Sequence, residues 1–71
     1  MNSSHSQIIV HNLVIACKMM RLARENSESG ELSRSLAICI TDLEKTIAFY
    51  SINIEMTPEV LEGHWRGVFD G

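Results

Sequence analysis

The chain is poor in residues that break helices or build catalytic loops. Among its 71 residues it has one proline, four glycines, one tryptophan, one tyrosine and two phenylalanines. It also lacks a glycine-rich phosphate loop, a nucleophile elbow and a paired-carboxylate motif. These absences favour a helical, non-enzymatic protein whose core is built from aliphatic side chains and methionine.

Two cysteines and three histidines are too scattered for a metal site. Cys17 and Cys39 are expected at the same level of two neighbouring helices, where buried cysteine packs as a small hydrophobic residue. The sequence contains no CxxC pair, the spacing that would favour a zinc site. His5 and His11 are predicted at the surface, and His64 has no positioned nucleophile for acid–base catalysis. The sequence therefore predicts no metal, no cofactor and no enzyme activity.

No long hydrophobic run is present either. The apolar stretch that begins at Ile8 is interrupted by His11 and Asn12 and followed by Lys18, which is short of the ~20 apolar residues of a membrane span. The residues before it carry no basic group, unlike a signal peptide. Because the two cysteines lie inside helical patterns, we expect a protein of the reducing cytoplasm with no membrane partner.

The length of the chain and the distribution of its charges narrow the class of protein further. A chain of this length buries only about 60% of the surface that its unfolded form exposes. Folds this small usually need disulfides, a metal, very good helix packing or self-association. The net charge is −3, made of +3 in residues 1–24 and −3 in each of residues 25–47 and 48–71. The first part of the chain is therefore basic and the remainder acidic.

Hydrophobic spacing predicts two long helices. The first is expected over residues 6–24, capped by Ser4 or Ser6, and the second over residues 31–50. Residues 26–30 are rich in turn formers and separate them. The first apolar stripe comprises Ile9, Leu13, Ala16 and Met20, and the second comprises Leu32, Leu36, Cys39, Ile40, Leu43, Ile47 and Tyr50.

The two stripes match when the chain is folded about Glu28. Ile9 then faces Ile47 and Met20 faces Leu36, as in an antiparallel hairpin with a short loop. The fold class predicted from this match is an all-α, antiparallel helical hairpin plus a short third helix.

The remainder of the chain gives weaker signals. Apolar and polar residues alternate around Ile52 and Ile54. We interpret this segment as an extended connector that buries one of these two side chains. Thr57 and Pro58 then favour the start of a third helix over residues 58–68. All 71 residues are expected to form one helical domain.

The apolar arc of the first helix is wider than packing against one neighbour requires. It indicates cover from at least two directions, and a C2 homodimer that forms a helical bundle is the commonest way to provide the rest. The residues predicted at the dimer interface are Ile8, Leu13, Ile15 and Met19.

Aromatic and arginine residues of the predicted third helix favour a second kind of contact, with a larger protein. Trp65, Arg66 and Phe69 lie in a segment flanked by glycines, and tryptophan and arginine are enriched at binding hot spots. The alternative, which we favour for Trp65 and Phe69 in so small a chain, is that they cap the open end of the hairpin core. Ile38 and Phe49 lie together on the side of the second helix away from its stripe. The function predicted from these residues is a small protein-binding regulator, adaptor or inhibitor.

Two alternatives stay open. Lys18, Arg21 and Arg24 form a basic strip at the end of the first helix. It is expected to compensate the helix dipole and to form salt bridges with the acidic half of the chain. If it contacts phosphates instead, it predicts a nucleic-acid-binding regulator. A dimer of such hairpins resembles in shape the Rop-type RNA-binding bundle. The other alternative is a structural subunit of a hetero-oligomer.

Overall fold

The computed structural model describes residues 3–71, with side chains from Ser4 onward, and it contains helices and no strand over that range. The helices are α1 (Ser3–Asn26), α2 (Gly30–Asn53) and α3 (Pro58–Phe69). Three helices and an all-α fold are therefore confirmed. Both long helices extend one to three residues beyond their predicted ends. As a result, Ser4 and Ser6, predicted as caps, lie inside the first turns of α1.

A three-residue link, residues 27–29, makes α1 and α2 antiparallel neighbours. Ser29 caps α2, because its side chain accepts a hydrogen bond from the backbone N–H of Leu32 at 3.2 Å. A second hydrogen bond joins the two helices across the link, because Arg24 Nε near the end of α1 donates to Ser33 Oγ near the start of α2 at 3.2 Å. The turn residues read from the sequence thus define the bend of the hairpin.

The fully buried side chains of α1 lie on the border between α2 and α3. The core comprises Val10, Val14, Cys17, Ile40 and Ile47. α3 packs mainly on α1, so α1 has one neighbouring helix on each of two sides. Cover of α1 from two directions, expected from its wide apolar arc, is therefore present within a single chain.

The predicted stripe of α1 was wrong in its orientation. The stripe through Ile9, Leu13, Ala16 and Met20 was expected to be the most buried line. Instead, Ile9 is 43% exposed, and the buried line is rotated by about a quarter of a turn to Val10, Val14 and Cys17. The reason is α3, since a helix held between two neighbours buries most deeply the line that lies between them.

The connector after α2 was also predicted wrongly. Residues 51–53 continue α2 rather than forming an extended segment. Ile52 is exposed and Ile54 is half-buried, while Ser51 is buried and donates its hydroxyl proton to the carbonyl of Ala48 at 2.8 Å. The alternation that resembled a strand was the end of a helix followed by its cap.

α2 ends in a Schellman motif built without glycine. The N–H of Met56 donates to the carbonyl of Ser51 at 2.9 Å, and the N–H of Glu55 donates to that of Ile52 at 3.0 Å. Glu55 adopts φ 58°, the left-handed conformation that favours glycine. Met56, the residue after Glu55, is half-buried against the core.

α3 begins as its sequence predicts. Thr57 Oγ1 accepts the N–H of Val60 at 3.3 Å, and Pro58 occupies the first helical position. The helix attaches to the core through one side of its surface, which carries Leu61, Trp65, Val68 and Phe69. A helix of 12 residues is marginal by itself in water, so α3 depends on this attachment.

Replacing Glu55 with glycine should stabilise the fold. Glycine removes the steric strain of the left-handed conformation at this position. This gain in free energy exceeds the cost of the larger conformational entropy of glycine in the unfolded chain. Glu55→Gly should therefore raise the free energy of unfolding by about 0.5–1 kcal/mol. Urea denaturation followed by circular dichroism measures it. Glu62→Gly, the same exchange inside α3, is the control and should lower stability by about 1 kcal/mol. Equal losses at the two sites would contradict the cap.

Candidate binding surface

The side of α1 that faces away from α2 and α3 is apolar and uncharged. Ile8, Ile15, Met19 and Leu22 lie on it, each with between 37% and 56% of its surface exposed. Three of these four were predicted at a dimer interface. Leu13, the fourth predicted residue, is half-buried and packs against the core instead.

The predicted basic strip of α1 is engaged inside the molecule. Lys18 Nζ donates to the carbonyl of Val68 at 2.7 Å, near the negative end of the α3 dipole. Arg21 forms an ion pair with Glu44 at 2.6 Å, and its guanidinium carbon lies 5.3 Å from the centre of the Phe69 ring.

With Arg24 bonded to Ser33, all three cations contact α2 or α3. Arg21 also lies next to the buried Cys17, whose side chain, more than the carboxylate of Glu44, raises the pKa of the guanidinium. The strip therefore holds the three helices together, and a nucleic acid would have to compete with these bonds.

The outer side of α2 carries three exposed apolar side chains, of which Ile38 lies about 16 Å along the helix from Phe49. Ile38 is 64% exposed, and Phe49 and Ile52 are each 70% exposed. Ile38 and Phe49 were predicted for a binding surface, and both lie away from the core. Ile52 was missed, because the pattern placed it after the end of the helix.

The aromatic residues of α3 serve partly to attach it. Trp65 and Phe69 are half-buried against the core, with ring centres 5.6 Å apart. Arg66 is exposed and pairs with Glu62 at 2.7 Å, one helical turn away. A Cβ atom added at Gly63 or Gly67 would meet no atom within 4 Å, so no close contact within the chain requires glycine at either position.

The junction of α1 and α3 contains a pair of histidines. His11 Nδ1 and His64 Nδ1 are 3.0 Å apart, and the rings meet edge to face with their centres 5.2 Å apart. His11, predicted at the surface, is half-buried because α3 covers it. Burial, and then the nearby His11, lower the pKa of His64 below its ordinary value.

The two cysteines occupy different environments. Cys17 is buried and Cys39 is exposed, and both are free thiols. The expectation that each packs in an apolar stripe was wrong for Cys39. Over residues 3–71, no group of three or more histidine, cysteine or acidic side chains is placed to hold a metal ion.

Comparison with known proteins gives no relative for this chain. No protein-family model, no curated protein and no solved structure matches it. Within the part of the chain that the structure describes, no helix is both long enough and apolar enough to cross a bilayer.

The histidine pair should make the attachment of α3 sensitive to pH. A lowered pKa means that folded His64 binds fewer protons than the unfolded residue does. The stability that it contributes is therefore present above the ordinary histidine pKa of 6.5 and is lost as the pH falls through the lower folded value. The melting temperature should fall between pH 7.5 and pH 5.5.

Three proteins compared by thermal denaturation at those two pH values test this effect. The fall in melting temperature should be smaller in His64→Gln than in the wild type. The matched control, Lys45→Gln, places the same side chain at an exposed position of α2, outside the junction and the outward side of α1, and its melting temperature should fall as far as that of the wild type. An equal fall in all three proteins would show that the histidine pair is not responsible.

Proposed function

We propose that this protein is a small, non-enzymatic protein-binding regulator that dimerises through α1 and binds a larger protein through the outer side of α2. The observation that supports it best is the arrangement of α1. Its three cations contact α2 and α3, while Ile8, Ile15, Met19 and Leu22 face outward without a charge among them.

Such a surface is the reverse of what a solvent-facing helix normally presents. A surface helix usually turns its charged side to water and its apolar stripe to the core. The largest exposed apolar patch on a protein is often a contact site. Dimerisation would cover the outward side of α1 and form a helical bundle around the two hairpins.

The outer side of α2 supports the contact with a larger protein. Ile38, Phe49 and Ile52 are exposed on α2 and do not belong to the outward side of α1, so they would stay accessible in a dimer formed through α1. Phe49 supplies a large apolar surface of the kind found at interface hot spots. The two free thiols suit a reducing compartment, and the proposal places the protein in the cytoplasm.

The other two functions have less support. A nucleic-acid site would have to share Lys18, Arg21 and Arg24 with their partners in α2 and α3. A structural subunit of a hetero-oligomer would have the same exposed apolar surface, but it would be stable only inside the assembly. A purified chain that is soluble and folded by itself would distinguish the regulator from that subunit.

A charge placed on the outward side of α1 should abolish the dimer. Light scattering coupled to gel filtration should give twice the chain mass of 8.0 kDa for the wild type at tens of micromolar. Ile15→Glu should give the single-chain mass, because it would bury an unpaired charge at the interface. Ile38→Glu, an exposed isoleucine of α2, is the control and should stay dimeric. A wild type of single-chain mass would overturn the dimer.

Truncating the outer side of α2 should weaken binding to the larger protein. Phe49→Ala should reduce affinity about tenfold or more, since a central aromatic contact contributes more than 1.4 kcal/mol. Retention of a crosslinked and identified partner from lysate, with and without nuclease, measures the loss. Glu59→Ala, an exposed residue of α3, is the control. Unchanged retention by Phe49→Ala would exclude this surface, and loss of the partner with nuclease would favour nucleic acid.

A further inference from the structure

The outward side of α1 has the spacing of a coiled-coil seam. Its positions alternate by three and four residues, and every one of them is exposed. The seam comprises His5, Ile8, Asn12, Ile15, Met19, Leu22 and Asn26. In heptad terms, Ile8, Ile15 and Leu22 occupy position d, and the other four residues occupy position a.

Over the described residues, the seam is a side of α1 that lacks a neighbouring helix. At 3.6 residues per turn, it lies about a quarter of a turn from His11 and Lys18, which contact α3, and about two-fifths of a turn from Arg24, which contacts α2. α1 therefore has space for one more helix along its length, and α2 and α3 limit that space on both sides. A single additional helix fits, which favours a pair of chains over a trimer or tetramer.

The composition of the seam suits a second copy of the same chain. It carries no aspartate, glutamate, lysine or arginine, so two chains of net charge −3 can approach there without charged groups facing each other. The side next to α2 continues with Ile9, Ala16 and Ala23, two of which are small enough for close packing. A foreign helix with a charged contact side would find no opposite charge to pair with on the seam.

The size of the seam suits a dissociable dimer. Its four large apolar side chains, together with Ile9, are between 37% and 56% exposed. They leave on the order of 400 Å² of apolar area, and Asn12 and the flanking alanines add to it. Each chain would then bury ~600 Å², the low end of specific interfaces.

Asn12 determines the orientation of the two chains. In an antiparallel pair its amide would face Ile15 or Leu22 of the other chain, where it would be buried without a hydrogen-bond partner. In a parallel, in-register pair it faces its own counterpart, and each amide can donate to and accept from the other. Paired asparagines at position a are known to set the register and the two-chain state of parallel coiled coils.

We propose that two copies of this chain associate through α1 as a parallel, in-register helix pair with Asn12 facing its counterpart. This inference rests on the dimer of the proposed function and adds the orientation and the residue that sets it. Ile8, Ile15, Met19 and Leu22 each pack against the same residue of the second copy. The two copies of α3 lie on the outside of the pair, and the outer side of α2 stays accessible.

Disulfide trapping at the two ends of the seam tests the orientation. In a Cys39→Ser background, His5→Cys and Asn26→Cys each place one thiol at one end of the seam. A parallel pair brings identical thiols together, so each variant alone should form a covalent dimer under mild oxidation. Asp42→Cys, an exposed position on α2, is the control and should remain a single chain on a denaturing gel.

The outcomes separate this inference from the proposed function. Crosslinks that form only when His5→Cys chains are mixed with Leu22→Cys chains, which an antiparallel pair brings together, would overturn the parallel orientation, while dimerisation would stand. A dimer by light scattering without any seam crosslink would place the interface elsewhere. A single-chain mass at all concentrations would overturn both proposals, and a mass of three or four chains would overturn the two-copy arrangement.

Asn12→Leu tests the part played by the asparagine. Loss of the polar pair should lower the dissociation constant of the dimer at least about tenfold, because a buried asparagine pair reduces stability in return for specificity. The same change, introduced into each thiol variant, should permit crosslinks between mixed His5→Cys and Leu22→Cys chains. Weaker association, or an unchanged crosslinking pattern, would show that Asn12 does not set the orientation.

Discussion

The rest of the fold requires the packing of Val10, Val14 and Cys17 of α1 between α2 and α3. A chain this small has one core, and these three side chains of α1 are fully buried in it. α2 covers them from one side and α3 from the other. The 12 residues of α3 would not stay helical without this contact, and Lys18 and Arg21 would lose their partners on α3.

The middle position of α1 reverses the usual distribution of polarity around a helix. Its cationic side chains lie at the borders with α2 and α3, where each has an acceptor or an anion within reach. Its hydrophobic residues therefore occupy both the core and the opposite side. That outward side is uncharged for the full length of the helix, which is why the proposed function and the proposed helix pair both depend on α1.

The local parts of the fold could be predicted from the sequence. Turn residues placed the hairpin bend, and Thr57 and Pro58 placed the start of α3 within one residue. The outward position of Ile38 and Phe49 followed from helical spacing. In each case the signal lies within a few residues of the structure that it determines, because caps and turns are hydrogen-bonded over three or four residues.

The candidate site was predictable only in part, because it depends on which helix covers which side. Helical spacing, turn residues and caps were enough to predict three helices, their order and a wide apolar arc on α1. No local pattern predicted that α3 docks on α1, which turned the most buried line toward Val14 and covered His11. The contacts responsible join residues 53 and 50 positions apart, His11 with His64 and Lys18 with Val68. Helical periodicity extends along one helix and carries no information about a neighbour so distant in sequence.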